Sequence, residues 1–451
     1  MGSIRVGNGC GFWGDSVDAP VRLAEADRLD YLTLEYLAEL TMSILALQKQ
    51  KNPEAGFATD FLDVLRRLCP ILKDQPNLKI ITNAGGMNPL ACAKQARQIL
   101  DEAGLGNRTL AVVTGDDLMP DLDRLSASGH DLAHLDSGAA VASIRNRLVS
   151  ANAYLGAQPI VQALKQGTSI VITGRVADAS LTVAPAVHEF GWDWNDWDRL
   201  SAATVAGHLI ECGAQVTGGL WCNVGDGTIL ANVGYPIAEI EANGRVTITK
   251  PDETGGAVNR ETVSEQLLYE VGDPAAYLTP DVTADFSSVR LEEVGPDRVA
   301  ITGAKGNPAT DSYKVSMAYR DGFTASGTLV IAGPNAQAKA WGCGELVWRR
   351  LAQARFMYER AYSEIIGGRA GEDQTALAYV EAPAVVLRLS ARDERKSAIE
   401  RFTRELAPLV TSGPPGVTGY TSGRPAVREV LAYWPALIDK RAVTPYVQMI
   451  G

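Results

Sequence analysis

Through the first half of the chain, short apolar runs alternate with longer segments whose apolar positions recur at helical spacing. Residues 3–8, 31–36, 78–83, 109–114 and 169–174 read as strands, and helices are expected near 17–28, 37–50, 58–74, 88–104 and 117–128. This alternation predicts an α/β fold, with an N-terminal mainly parallel sheet and covering helices. Periodicity leaves two architectures open, doubly wound or barrel-like, because both give the same local pattern.

From about residue 235 the pattern changes. "PIAEIEANGRVTITK" places Asn-Gly between two alternating segments, the signature of a β-hairpin, and "RVAITGAKG" and "FTASGTLVIAG" continue with antiparallel-type strands. "APAVVLRLSAR" reads as a strand, "RKSAIERFTRELAPL" as a helix, and "TSGPPGVTGYTSGRP" (411–425) as a loop. The expected organisation is an α/β domain over 1–234 that carries a polar cluster at its strand ends, then a C-terminal α+β domain over 235–451.

Composition narrows the functional classes. The chain has 451 residues, 46% of them hydrophobic and 21% charged, with a net charge of -11. An acidic balance argues against nucleic acid or an anionic membrane as main partner, since phosphate is bound by clustered cations. The start, "SIRVGNG", lacks the layout of a signal peptide, and no apolar run approaches the ~20 residues of a membrane span. Six scattered cysteines without a C-x-x-C pair read as reduced thiols, so a cytoplasmic location is expected.

In either parallel-sheet architecture ligands bind at the carboxyl ends of the strands, so the residues that follow each strand are the candidates. They are "GNGCGFWGDS", Glu35, "TNAGGMNP", "TGDD" and "TGRVADAS", which collect Gly11, Asp15, Glu35, Asn83, Asp116, Asp117, Gly174, Arg175 and Asp178. Gly9-x-Gly11-x-x-Gly14 matches a dinucleotide fingerprint, with Glu35 near the offset of a ribose-binding acid. Against that reading, Phe12 and Trp13 stand where a helix should begin, and Asp15 would oppose a pyrophosphate.

Asn83 suits a substrate carbonyl, with Gly85 and Gly86 allowing close backbone approach, while Asn88-Pro89 reads as a helix start. Arg175 at a strand end next to a helix start suits a carboxylate or phosphate, with Asp178 either orienting it or capping the helix. Gly174 before it would leave room for the ligand. In "AGHLIECGAQVTGG" (206–219), His208 and Cys212 would share one helix face, compatible with packing or with an activated thiol, and Gln215 follows in a glycine turn. His130 and His134 are also four apart, but no zincin pattern accompanies them. Asp15, Glu35 and Asp116 would suit magnesium if the fold gathered them.

Taken together, "GNGCGFWGDS", "DYLTLEYLAELTMSIL", "TNAGGMNP", "ITGRVADASLTVAP", "GHLIECGAQVTGG" and "YTSGRPAVREVLAYWP" resemble, in the same order, the acyclic terpene utilisation (AtuA-like) family. The resemblance implies a catabolic setting in which branched or terpenoid acids are degraded as coenzyme A thioesters. It carries over no catalytic residue. Longer relatives have a further small carboxyl-terminal domain, so a small companion subunit, or independence from one, is expected here.

The leading expectation is an enzyme acting on a small branched or terpenoid hydroxy- or unsaturated acyl substrate, a hydratase, dehydratase or other lyase. Glu35 or Asp15 would be the base, Asn83 with glycine amides would hold the acyl oxygen, and Arg175 would bind a substrate carboxylate or phosphate. Gly11, Gly85, Gly86, Asp116, Gly174, Cys212 and Gln215 would line the substrate. The alternative is a non-catalytic binding or partner subunit of an acyl-processing complex, and a weaker third is a nicotinamide-dependent oxidoreductase. No organic cofactor is expected, a divalent metal is left open, and a homo-oligomer is anticipated.

Overall fold

The computed structural model describes residues 2–225, 227–367, 382–420 and 423–451. Its first half follows the expected alternation. The strands are β1 (Ser3–Asn8), β2 (Tyr31–Leu34), β3 (Lys79–Thr82), β4 (Leu110–Thr114), β5 (Leu148–Ala153) and β6 (Ile170–Thr173). The helices are α1 (Ala19–Ala26), α2 (Glu39–Lys51), α3 (Asp60–Asp74), α4 (Pro89–Glu102), α5 (Leu122–Ala127), α6 (Gln158–Lys165), α7 (Ser180–Phe190) and α8 (Trp197–Ile210). The hairpin expected around Asn243-Gly244 forms as β7 (Ile237–Glu241) and β8 (Val246–Thr249).

One sheet organises this part of the chain. Its parallel centre runs β1-β2-β3-β6-β4. Beyond β1, antiparallel strands β7, β8, Arg298–Thr302 and Arg290–Gly295 extend it, and Tyr446–Ile450 pairs antiparallel with β4 on the other side. The strand path is open, not closed into a barrel. The central strands β2 and β6 are buried along their whole length, as strands covered on both faces must be. Two successions of packed helices provide the cover, α1-α3-α4 and α6-α7-α8.

No break falls at residue 234, because β7 pairs directly with β1 and belongs to the same sheet. The compact units are residues up to Ala318 together with Tyr433–Gly451, and Tyr319–Ala432. In the second unit, residues 323–332 pair antiparallel with Ala384–Asp393, which pairs in turn with Arg360–Ile366. Alternation decides its inner face. Leu329, Ile331, Leu387 and Leu389 pack against Val347 and Leu351 of the helix Ala336–Gln353 and against Ile399 and Phe402 of Lys396–Phe402. The segment 411–425, expected as loop, contains the strand Val417–Tyr420, and its residues 421–422 lie outside the described ones.

Asp281 fixes the starts of two helices that cover the sheet. Its buried carboxylate accepts from the Ala157 N–H at the start of α6 (2.9 Å) and from the Ser180 hydroxyl at the start of α7 (2.7 Å). Gly156 leaves the space for it, since a Cβ there would lie 2.4 Å from Asp281 Oδ1. Asp281→Ala strands both donors and is expected to lower stability by about 1–3 kcal/mol in urea unfolding. An unchanged midpoint would show that water replaces the carboxylate at no cost.

Candidate functional site

The parallel strands all end at one edge, and the side chains that follow them build a cleft of about 730 Å³, within the usual range for a small-molecule site. Gly11, Asp15, Glu35, Arg175, Asp178, Cys212 and Gln215 line it. Asn83, Gly85, Gly86, Asp116 and Gly174 do not; they lie in the layer beneath and hold the lining in place.

Arg175, delivered by the end of β6, is 2% exposed. Its terminal nitrogens are engaged within the protein, NH1 donating to the Leu37 carbonyl (2.7 Å) and NH2 to Asp178 Oδ1 (2.6 Å). The guanidinium lies 4.1 Å from the Tyr154 ring centroid, a cation–π contact, while Nε has no partner. Asp178 therefore orients the arginine, and α7 has no side-chain cap at Ala179. The room at Gly174 is filled from below, where a Cβ would lie 2.4 Å from Asp116 Oδ1. Asp116 accepts from the Arg175 backbone N–H (2.9 Å) and from Asn152 Nδ2 (2.8 Å). Burial pushes its pKa up to about 6 against those hydrogen bonds.

Glu35 follows β2 and is buried. Oε1 accepts from the Leu37 N–H (3.0 Å) and from Asn83 Nδ2, and Oε2 has no hydrogen-bond partner. Asn83 also accepts from the Tyr36 N–H through Oδ1 (2.8 Å), so both ends of its amide tie the ends of β3 and β2 together, away from a ligand. Burial and the Asp178 charge raise Glu35 to about 8, against the pull of Arg175 and Asn83. Asp178 rises to about 6, driven by burial and by Glu211 and Glu39, with Arg175 opposing. The two carboxyls titrate as a pair between these values.

Asp15 is committed to its own loop. Oδ2 accepts from the Gly11 N–H (2.9 Å), and Oδ1 accepts from the Tyr235 hydroxyl and the Ser16 N–H (both 2.6 Å). The glycines of this loop do not open a helix, since α1 begins only at Ala19. Instead Gly11 permits a close crossing, where a Cβ would lie 2.8 Å from the Cys212 carbonyl carbon. Gly85 and Gly86 serve packing in the same way, against the Thr173 carbonyl (2.5 Å) and Leu45 (2.4 Å). Asn88 caps α4 as expected, accepting from Ala91 N–H.

The helix of 206–219 ends earlier than its periodicity suggests. α8 stops at Ile210, so Cys212 lies beyond it and does not share a helix face with His208. Burial and Glu211 push the Cys212 thiol up to about 12, the opposite of an activated nucleophile. The imidazole turns to Glu211 instead, with Nδ1 3.4 Å from Oε1. Among the described residues no group of three or more His, Cys, Asp or Glu is arranged to hold a metal ion.

Several lining residues gave no signal in the sequence. β5 delivers Tyr154, whose hydroxyl donates to Glu39 Oε1 (2.6 Å), and Lys314 reaches the same oxygen (3.1 Å). Burial works against the Glu39 carboxylate, but Tyr154 and Lys314 outweigh it and hold its pKa down to about 2. Glu211, Glu270 and His208 complete a wall that is acidic in balance, with Arg175 and Lys314 as its cations. Phe12, Leu220, Tyr269 and Leu278, all exposed, add an apolar lip.

A family model described as "Acyclic terpene utilisation family protein AtuA" matches residues 4–449. The chain belongs to the acyclic terpene utilisation family. Membership ties it to the use of acyclic terpenes, and the match spans both compact units. No curated protein matches the chain. No helix of the described residues is long and apolar enough to cross a membrane.

Within this cleft, Arg175 is the cation that keeps Glu35 and Asp178 from facing each other unscreened. Arg175→Met is expected to cost about 1–3 kcal/mol at pH 7, the usual penalty for a charged hydrogen-bonding group left without its partner, since Asp178 is partly exposed and water can take up part of the loss. The loss should narrow as pH falls below about 6, because protonated carboxyls no longer need the cation. Urea unfolding of both proteins across that range tests this, and a pH-independent difference would assign the loss to packing alone.

Proposed function

We propose that the chain is a lyase of the hydro-lyase type, acting on a branched or terpenoid acyl substrate by adding or removing water beside the acyl group. The carrying observation is Glu35, a buried carboxyl with one unpartnered oxygen, set beside Arg175 and Asp178 on a cleft with an apolar lip. Environments that hold two carboxyls at different proton affinities supply an acid and a base from the same residue type.

In this reading Asp178, partly exposed and held by Arg175, is the base that takes a proton from the carbon next to the acyl group. Glu35, protonated at neutral pH, gives its proton to the departing hydroxyl, which leaves as water. The base role thus passes from Glu35 or Asp15 to Asp178, because Glu35 holds its proton too tightly and Asp15 is engaged by Tyr235 and Gly11. Arg175 acts on the carboxyls more than on a substrate anion, given that NH1 and NH2 are already bonded within the protein.

The lining also speaks to the substrate. An acidic wall disfavours a free carboxylate or phosphate inside the cleft and favours a neutral head, such as a hydroxyl next to a thioester or other masked acyl group. Phe12, Leu220, Tyr269 and Leu278 suit a hydrocarbon tail. The same exposed lip supports the second reading, a surface that seats a small companion chain, with activity appearing only in the pair.

Activity against pH is expected to be bell-shaped. It rises as Asp178 ionises near 6 and falls as Glu35 loses its proton near 8, both being properties of the pair. Glu35→Gln and Asp178→Asn should each lower kcat by about 100- to 10,000-fold on a branched 3-hydroxyacyl thioester. Full activity in both variants would remove this reading.

A further inference from the structure

The proposed reaction needs a group to hold the acyl oxygen while charge collects on it, and Asn83 is engaged elsewhere. His208 lies on the last turn of α8, lines the cleft and is 1% exposed. Its ring packs against the paired rings of Tyr277 and Phe286, with centroids 5.5 and 5.6 Å away. Nδ1 faces Glu211 Oε1 at 3.4 Å, neither ring nitrogen has a hydrogen bond of ordinary geometry, and Glu211 Oε2 is also unpartnered.

Buried polar atoms are nearly always satisfied. With Nδ1 turned to Glu211, His208 Nε2 and Glu211 Oε2 are left without partners in the wall of the cleft, which is what a site awaiting a polar ligand looks like. The helix end that carries them is itself fixed, since Asn8 at the end of β1 donates to the Ile210 and Glu211 carbonyls (2.6 and 2.8 Å) and Gln266 donates to the His208 carbonyl (3.1 Å). The pair is therefore held on rigid elements, as a preorganised donor should be.

We propose that His208, seated by Glu211 through Nδ1, holds the substrate's acyl oxygen with its Nε2–H. This rests on the hydro-lyase reading of the site. Burial opposes charge on the ring, yet Glu211 and the nearby backbone of Gln266 and Leu267, which makes no hydrogen bond of ordinary geometry with the ring, outweigh it and raise the imidazole's proton affinity, which favours a ring with a hydrogen on both nitrogens.

Asp178 then takes the proton from the carbon next to the acyl group, and the freed electron pair moves into the acyl group, leaving an enolate oxygen bonded to His208 Nε2–H. When the pair returns, the neighbouring C–O bond breaks, and the leaving oxygen takes the Glu35 proton to become water. Asp178 ends protonated and Glu35 ionised, and return of one proton from Asp178 to Glu35 resets the pair. Nothing is oxidised, and no co-reactant is needed.

The test uses the full chain with 3-hydroxy-3-methylbutyryl-pantetheine for turnover and carbonyl-labelled 3-methylcrotonyl-pantetheine for binding. His208→Leu is expected to lower kcat by about 100- to 1000-fold, the usual loss for one oxyanion donor, with KM little changed and part of the rate restored in His208→Gln. The infrared carbonyl band of the bound unsaturated thioester should move to lower frequency in the wild type and stay at its free position in His208→Leu. A role in packing alone would not move that band.

A wild-type kcat in His208→Leu, with turnover lost in Glu35→Gln, would overturn this inference and leave the hydro-lyase reading standing. A wild type that neither binds nor turns over the thioesters would overturn both. If His208→Leu fails to fold, Glu211→Leu decides, because removing the partner of Nδ1 must reproduce the kcat loss and the missing band shift, and unchanged values there would refute the assignment.

Discussion

The structure depends on one buried guanidinium. Arg175 sits at the carboxyl edge of the sheet, where the ends of β2, β4 and β6 would otherwise bring Glu35, Asp116 and Asp178 together in a poorly solvated layer. An arginine keeps its charge where a lysine would lose it, and its fork reaches the Leu37 carbonyl and the Asp178 carboxylate together. Burial opposes its charge, but the surrounding acids and Tyr154 more than compensate, so its proton is held more tightly than usual. Burial pushes the carboxyls toward their protonated forms, the guanidinium pulls Glu35 and Asp178 back, and the candidate site is an outcome of that balance.

Much of this was legible in the chain. The parallel strands and most of their helices follow the two apolar periods closely, with ends shifted by a residue or two, though the helix expected over 117–128 begins only at Leu122; the central strands are buried on both faces and tolerate nothing polar until they end. Strand ends are therefore where polar residues collect, and the rule that ligands bind there pointed to Glu35, Arg175 and Asp178. What the chain could not reveal was which members of the cluster face outward. Asn83, Asp116 and the glycines at 85, 86 and 174 look like ligand-binding residues by composition, but their neighbours in space are the Tyr36 N–H, the Thr173 carbonyl and the Arg175 backbone. A glycine that admits a neighbouring strand and one that admits a substrate read the same.

Two misses have specific causes. The segment that becomes β5 carries Ser150 and Asn152 within its buried run, which breaks the apolar signal, so Tyr154 at its end went unrecognised. The helical period through 206–215 overran the true end of α8. That error paired His208 with Cys212, when the chain turns at Glu211 and sets the carboxylate, not the thiol, against the ring. The change matters chemically, since a thiol deprotonated only near 12 is inert and a carboxylate beside an imidazole holds a proton in place.

The acidic balance of the cleft also constrains what it can bind. In a cleft with low-dielectric walls each added charge is felt strongly, and Glu39, held ionised by Tyr154 and Lys314, already sets a negative background around the pair. A substrate carboxylate there would force one of these groups to take up a proton, whereas a masked acyl group would not. Burial, with the Asp178 charge behind it, explains why Glu35 keeps its proton at neutral pH even though Arg175 is close by. The proposed substrate, a terpenoid acid activated as a neutral thioester, would meet both demands of the cleft: its head would add no charge to an acidic wall, and its branched tail would cover the apolar lip that water otherwise wets.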